Sequence, residues 1–167
     1  ITDEVIDFRK LSSEHLLQRY QAIIDTLGEH NINVQPVTTD EEPYFEGPAT
    51  IVFRLNLGAG VEPRAVFAKS DILKLKLGLG EEQIIRAFID RGNIVIEVPK
   101  SGTERYFVEA SQLWSRWEKP DDQLACPVGV DQRGNVIEFV FSSSNSPHLL
   151  IGGTTGNGKS EALNTIL

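Results

Sequence analysis

One octapeptide constrains this chain more than any other stretch. Gly153-Thr154-Thr155-Gly156-Asn157-Gly158-Lys159-Ser160 satisfies the pattern G-x-x-x-x-G-K-[ST] at every specified position. The residues before it, Pro147-His148-Leu149-Leu150-Ile151-Gly152, read as a short buried strand, with His148 as a strand-start residue of structural role. Those after it, Glu161 to Leu167, read as the start of a helix. With average residue usage, a chance match in a chain of this length is on the order of 1%.

The chemistry follows from the residue types. Phosphate oxygens need several donors close by and no bulky Cβ in the way. Glycines let the backbone approach, and successive N–H groups form a concave anion site. A helix N-terminus adds the positive end of its dipole. The pattern assigns phosphate binding to all eight residues: Gly153, Thr154, Thr155, Gly156, Asn157, Gly158, Lys159 and Ser160. Lys159, the one candidate catalytic residue, carries a mobile charge for the β- and γ-phosphates, and the Ser160 hydroxyl is offered to Mg²⁺. The cofactors expected are ATP and Mg²⁺.

Composition sets the bounds. The chain has 167 residues and a net charge of −8, the wrong sign for a surface whose own task is to coat nucleic acid. No apolar run reaches eighteen residues, so no membrane contact is expected from this segment. Cys126 is the single cysteine, which fits a cytoplasmic setting and reads as a small buried hydrophobe. Methionine is absent and the chain stops soon after Ser160, so it is expected to be an internal piece of a longer protein.

Taken in order, residues 1–12 are weakly patterned. Ser13 is the expected N-cap of a helix whose apolar face is Leu16, Leu17, Tyr20, Ile23, Ile24 and Leu27, with Gly28 ending it. Asn31 to Val37 alternates as a strand, Thr38 to Gly47 reads as an acidic solvated loop, and Ala49 to Leu57 as a second strand with Ile51, Phe53 and Leu55 on one side. Gly58-Ala59-Gly60 reads as a turn, since a dinucleotide loop needs a third glycine. Arg64 to Leu77 reads as one helix, with Lys69, Lys74 and Lys76 on a solvated face. Gln83 to Ile89 and Asn93 to Val98 form a hairpin through Asp90-Arg91-Gly92. Ile94 to Glu97 reads as a plain strand, because the Mg²⁺-holding strand of a phosphate-loop NTPase follows the phosphate loop. Glu109 to Trp117 is a short helix with Trp114 and Trp117 on one face, read as core or domain-interface packing. Glu118-Lys119-Pro120-Asp121-Asp122 breaks the pattern and is the expected domain boundary. Leu124 to Val130 and Asn135 to Phe141 form a further hairpin through Asp131 to Gly134, and 142–146 is a serine-rich loop.

Pro147-His148-Leu149-Leu150 running into Gly153 to Ser160, and then Ala162-Leu163-Asn164, resembles the motor of the FtsK/SpoIIIE DNA translocases. In that family a "PHLL" strand leads into "GTTGSGKS". Asn157 stands where the family usually has serine, a small change because Asn tolerates φ > 0, and Glu161 where it often has an apolar residue. Asn93 to Pro99 is similar to the family's "GIEVPN" strand, and Pro127 to Asp131 followed by Gly134 to its "ALGKD…G" hairpin.

The resemblance implies an α/β fold: a small α+β domain with a mixed or antiparallel sheet, followed by a truncated RecA-like phosphate-loop domain. The expected domains are residues 1–119, the family's α domain with an N-terminal linker, and 120–167, the start of the RecA-like ATPase domain. It also implies an ATP-driven double-stranded DNA translocase working as a homo-hexameric ring, with DNA contacts, the second Mg²⁺ acid, the catalytic glutamate and any arginine finger beyond residue 167. The fragment by itself is then expected to be inactive. Rival readings are a HerA-type helicase-translocase of a restriction or defence system, an FtsK-like secretion ATPase that moves protein, and a non-catalytic assembly module that binds nucleotide.

Overall fold

Helix α1 spans Ser13–Glu29. Its N-cap is Ser12, one residue before the expected Ser13; the Ser12 hydroxyl accepts from the His15 N–H and satisfies one orphan donor of the first turn. Leu16, Tyr20, Ile23, Thr26 and Leu27 form the buried stripe. Gly28 lies inside the helix rather than past its end, and the chain turns away at His30 and at Asn31, whose φ is 59°. Asn tolerates that left-handed conformation better than most residues.

The computed structural model describes residues 11–37, 42–121, 123–131, 134–142 and 148–166. Residues 1–10 of the weakly patterned stretch 1–12, Thr38 to Glu41 of the acidic loop, Gln132 and Arg133 of the second hairpin, and most of the serine loop lie outside the described residues.

After α1 come strands β1 (Val34–Pro36), β2 (Tyr44–Glu46) and β3 (Thr50–Leu57), helices α2 (Pro63–Phe67) and α3 (Ser70–Lys76), and strands β4 (Arg86–Asp90) and β5 (Asn93–Pro99). The strands make one antiparallel sheet in the order β1-β3-β5-β4, with β2 also pairing β3. Ile51, Phe53 and Leu55 of β3 and Ile94, Ile96 and Val98 of β5 share one face and are buried against residues of α1, α2 and α3. Each such side chain contributes about 1.5–3 kcal/mol relative to exposure. Val52, Arg54 and Val95, on the opposite face, are buried too.

Two expectations change. The acidic loop contains β2, whose Glu46 is buried. The single helix expected over 64–77 is two helices, α2 and α3. The Ser70 hydroxyl donates to the Phe67 carbonyl at 2.8 Å, taking the acceptor that a continuous helix would offer to the Asp71 N–H, and Lys69 sits at φ −100°, ψ 8°. Lys74 donates to the Glu81 carbonyl and Lys76 lies 3.9 Å from Glu29, so two of the three lysines are occupied locally.

Helix α4 (Ala110–Arg116), strands β6 (Ala125–Val130) and β7 (Val136–Val140), and helix α5 (Lys159–Ile166) complete the chain. The β6–β7 hairpin is antiparallel, with a bulge between Pro127 and Gly129. Cys126 is buried within it, and burial pushes its thiol pKa up. Two compact units result, Ile1–Tyr106 and Phe107–Leu167. They part upstream of the 118–122 composition break because α4 packs on β6. Trp114 and Trp117 meet edge to face with centroids 5.4 Å apart, and the Trp117 Nε1–H donates to Glu138 of β7 at 2.8 Å.

The strand expected just before the phosphate loop does not form over the described residues 148–152. A strand exists by its ladder, and none of the described strands pairs with this stretch. Leu150 is accordingly 96% exposed rather than buried, and His148 is exposed and opens no strand.

Candidate phosphate-binding loop

The glycine-rich stretch runs directly into α5. Gly156 and Gly158 take φ values of 85° and 74°. A Cβ at either would meet nothing within 4 Å, so backbone conformation rather than crowding calls for glycine there. The Ala162 N–H donates to the Gly158 carbonyl at 2.9 Å, the first bond of the helix, and Lys159 and Ser160 form its opening turn.

Asn157 braces the loop. Its Nδ2 donates to Thr154 Oγ1 at 2.8 Å, and its backbone N–H to the Thr154 carbonyl at 3.3 Å. Tolerance of positive φ is the property that the sequence suggests for Asn157, but the neighbouring glycines take that conformation and Asn157 acts through its amide. The half-buried Lys159 turns its Nζ onto the Gly153 and Thr154 carbonyls, at 2.7 and 2.9 Å. Gly153 to Gly158 and Ser160 are exposed.

Within the described residues, the backbone N–H groups of Gly156, Gly158, Lys159 and Ser160 make no hydrogen bond inside the chain. Open donors beside an ammonium group at a helix N-terminus suit an anion. Ser160 brings a hydroxyl to the same turn, which suits a hard cation shared with phosphate oxygens. No cluster of three or more His, Cys, Asp or Glu side chains suited to a metal occurs among the described residues. All eight residues marked by the motif therefore fall on one loop-and-helix junction.

The fold is α/β, and its glycine-rich loop leads into the N-terminus of α5. Residues 108–167 match the FtsK/SpoIIIE family. The chain is 29% identical, over 98% of its length, to the DNA translocase FtsK of Caldanaerobacter subterraneus subsp. tengcongensis, of which it covers 22%. It is 34% identical, over 72% of its length, to the DNA translocase FtsK of Lactiplantibacillus plantarum, of which it covers 15%. The conjugation coupling protein TcpA of pCW3, solved as a monomer form with ATPγS, aligns over 89% of this chain and 40% of its own, at 16% identity and a TM-score of 0.36. The chain is thus similar to the FtsK/SpoIIIE family over residues 108–167, and to these DNA translocases along most of its length. It spans about a fifth or less of the length of these two translocases.

Proposed function

We propose that this chain is the part of an ATP-driven double-stranded DNA translocase that grips the nucleotide phosphates. The observation that carries the reading is the loop at the start of α5, where open backbone N–H groups and Lys159 converge in a segment matched by the FtsK/SpoIIIE family. The open N–H groups of Gly156, Gly158, Lys159 and Ser160 bind and orient the phosphates. Lys159 would exchange its bonds to the loop carbonyls for bonds to phosphate oxygens, and the Ser160 hydroxyl would help hold Mg²⁺, which would supply charge stabilisation to the phosphates. Bound ATP·Mg²⁺ supplies the transferable phosphoryl group.

Residues 1–119 correspond in this reading to the family's α domain and 120–167 to the start of its RecA-like domain. The longer protein supplies the second Mg²⁺ acid, the residue that positions water, and the DNA contacts, and it works in the cytoplasm as a homo-hexameric ring. Names borne by relatives such as the Caldanaerobacter protein support DNA as the track. The deciding experiment is ATP hydrolysis by the longer protein with and without duplex DNA. Stimulation by DNA, lost in Lys159→Ala, is expected; hydrolysis indifferent to DNA would favour a protein-moving ATPase and overturn the reading.

A further inference from the structure

Strand β4 ends the five-stranded sheet, paired to β5 on one side and to no strand among the described residues on the other. The turn that joins them fixes which of its backbone groups face outward. Arg91 and Gly92, at φ 48° and 83°, form a two-residue turn closed by the pair Asp90–Asn93. The closing pair of such a hairpin exchanges both hydrogen bonds. By alternation Asp90, Phe88 and Arg86 bond to β5, while the N–H and C=O groups of Ile89 and Ala87 point away from it. Phe88 and Ile89 on this edge are 37% and 57% exposed.

The edge is self-complementary in one register. Centre an antiparallel pairing on Phe88 against the same residue of a second chain. Ala87 of each chain then faces Ile89 of the other, and those are the residues with outward N–H and C=O groups. Arg86 of each chain faces Asp90 of the other, on the face shared with the two phenylalanines. Opposite charges and facing aromatics across strands are each favourable, and the Arg86 side chain has room to respond, being 75% exposed. Its own Glu97 lies 3.6 Å away. Shifting the register by two residues would set Arg86 or Asp90 against an aromatic ring instead.

We propose that β4 is a self-association edge, through which two copies of this chain join their sheets antiparallel about a two-fold axis at Phe88. Such a contact is isologous and closes at two chains. Five residues per strand bury less than the roughly 1,200 Å² of a stable interface, so the association is weak and depends on concentration.

Disulfide trapping tests the register directly. Facing residues in a non-hydrogen-bonded antiparallel pair have Cα atoms about 4.5 Å apart, inside the roughly 4.4–6.8 Å that a disulfide spans. Cys126 is buried, so the wild-type chain is the blank. Phe88→Cys should oxidise to a covalent dimer at least about tenfold faster than Leu75→Cys, an exposed collisional control on α3. Adding Ile89→Lys, at an exposed position where a lysine blocks edge pairing, should return Phe88→Cys to the collisional rate. Sedimentation of the wild-type chain should show dimer growing with concentration. Trapping of Phe88→Cys no faster than the control, trapping that survives Ile89→Lys, or a monomer at every concentration would each overturn the proposal.

Discussion

The Nζ of Lys159 donates a 2.7 Å hydrogen bond to the carbonyl of Gly153, the first residue of its own loop. A second bond reaches Thr154. The ammonium is thus held over the loop by weak neutral acceptors, which anionic phosphate oxygens outcompete. Lys159→Ala removes the one side-chain cation of the motif. Turnover of the longer protein should fall at least about a hundredfold, as when a charge-stabilising donor is lost from an active site. The 167-residue chain itself should bind ATP·Mg²⁺ weakly and hydrolyse it no faster than background, because phosphoryl transfer also needs a positioned water and a second metal-holding acid. A steady-state phosphate-release assay checks both. Turnover by the chain itself that vanishes in Lys159→Ala would place a catalytic acid within these residues.

Duplex DNA should bind the chain weakly. With a net charge of −8, and with Lys74 and Lys76 engaged by Glu81 and Glu29, no broad cationic stripe offers itself to phosphates. Fluorescence anisotropy at physiological salt should give a dissociation constant no tighter than the roughly micromolar range of non-specific binding, without sequence preference. Submicromolar affinity would reveal a basic face on the chain and overturn this expectation.

What the sequence disclosed, and what it hid, divides along physical lines. The alternation of Ile51, Phe53 and Leu55 announced β3, and Asp90-Arg91-Gly92 announced the β4–β5 turn, because both signals are local. The loop at the start of α5 stood out for the same reason: its pattern lies in eight consecutive residues. Strand β2 was invisible because Tyr44-Phe45-Glu46 sits beside an acidic run, and an acid is read as solvated. Glu46 is buried only because Lys100, far along the chain, arrives to meet it. The helix break at Ser70 turned on one hydroxyl choosing the Phe67 carbonyl. The strand before the loop failed for the opposite reason: Leu149-Leu150-Ile151 has the residues of a strand but no ladder partner among the described strands.

Acid should weaken the first unit through Glu104. Burial would raise the Glu104 pKa, but hydrogen bonds from the Ser101 N–H and from Arg19, with the nearby guanidinium charge, hold it below the ordinary value. The unfolded chain therefore takes up the proton first as pH falls. The contribution is complete above the unfolded value of about 4.3 and is lost as pH drops through the lower folded value. Urea midpoints for wild type and Glu104→Gln should differ at neutral pH and converge in acid. A gap that stayed constant across the range would show that the Glu104 charge contributes nothing.

Lys100 and Glu46 form the most buried ion pair among the described residues, with both side chains at 0% exposure. The pair is well furnished. Lys100 also donates to the Gly47 carbonyl at 3.2 Å and sits 4.6 Å from the centre of the Tyr106 ring, while Glu46 Oε2 accepts from the Leu11 N–H at 3.0 Å. A buried pair gains little over an apolar replacement of equal volume, yet removing one partner strands the other charge out of water. Lys100→Met should therefore destabilise the chain by about 3–5 kcal/mol in urea unfolding. Glu46→Gln/Lys100→Met keeps an acceptor for Leu11 and removes the stranded charge, so it should recover a large part of that loss. The two substitutions share a contact, and the double-mutant cycle should show a coupling well beyond the roughly 0.5 kcal/mol scatter of independent sites. If the double variant were as unstable as the sum of the singles, the pair would be two separate interactions rather than one, and the pinning of β2 to the end of β5 would have to come from elsewhere.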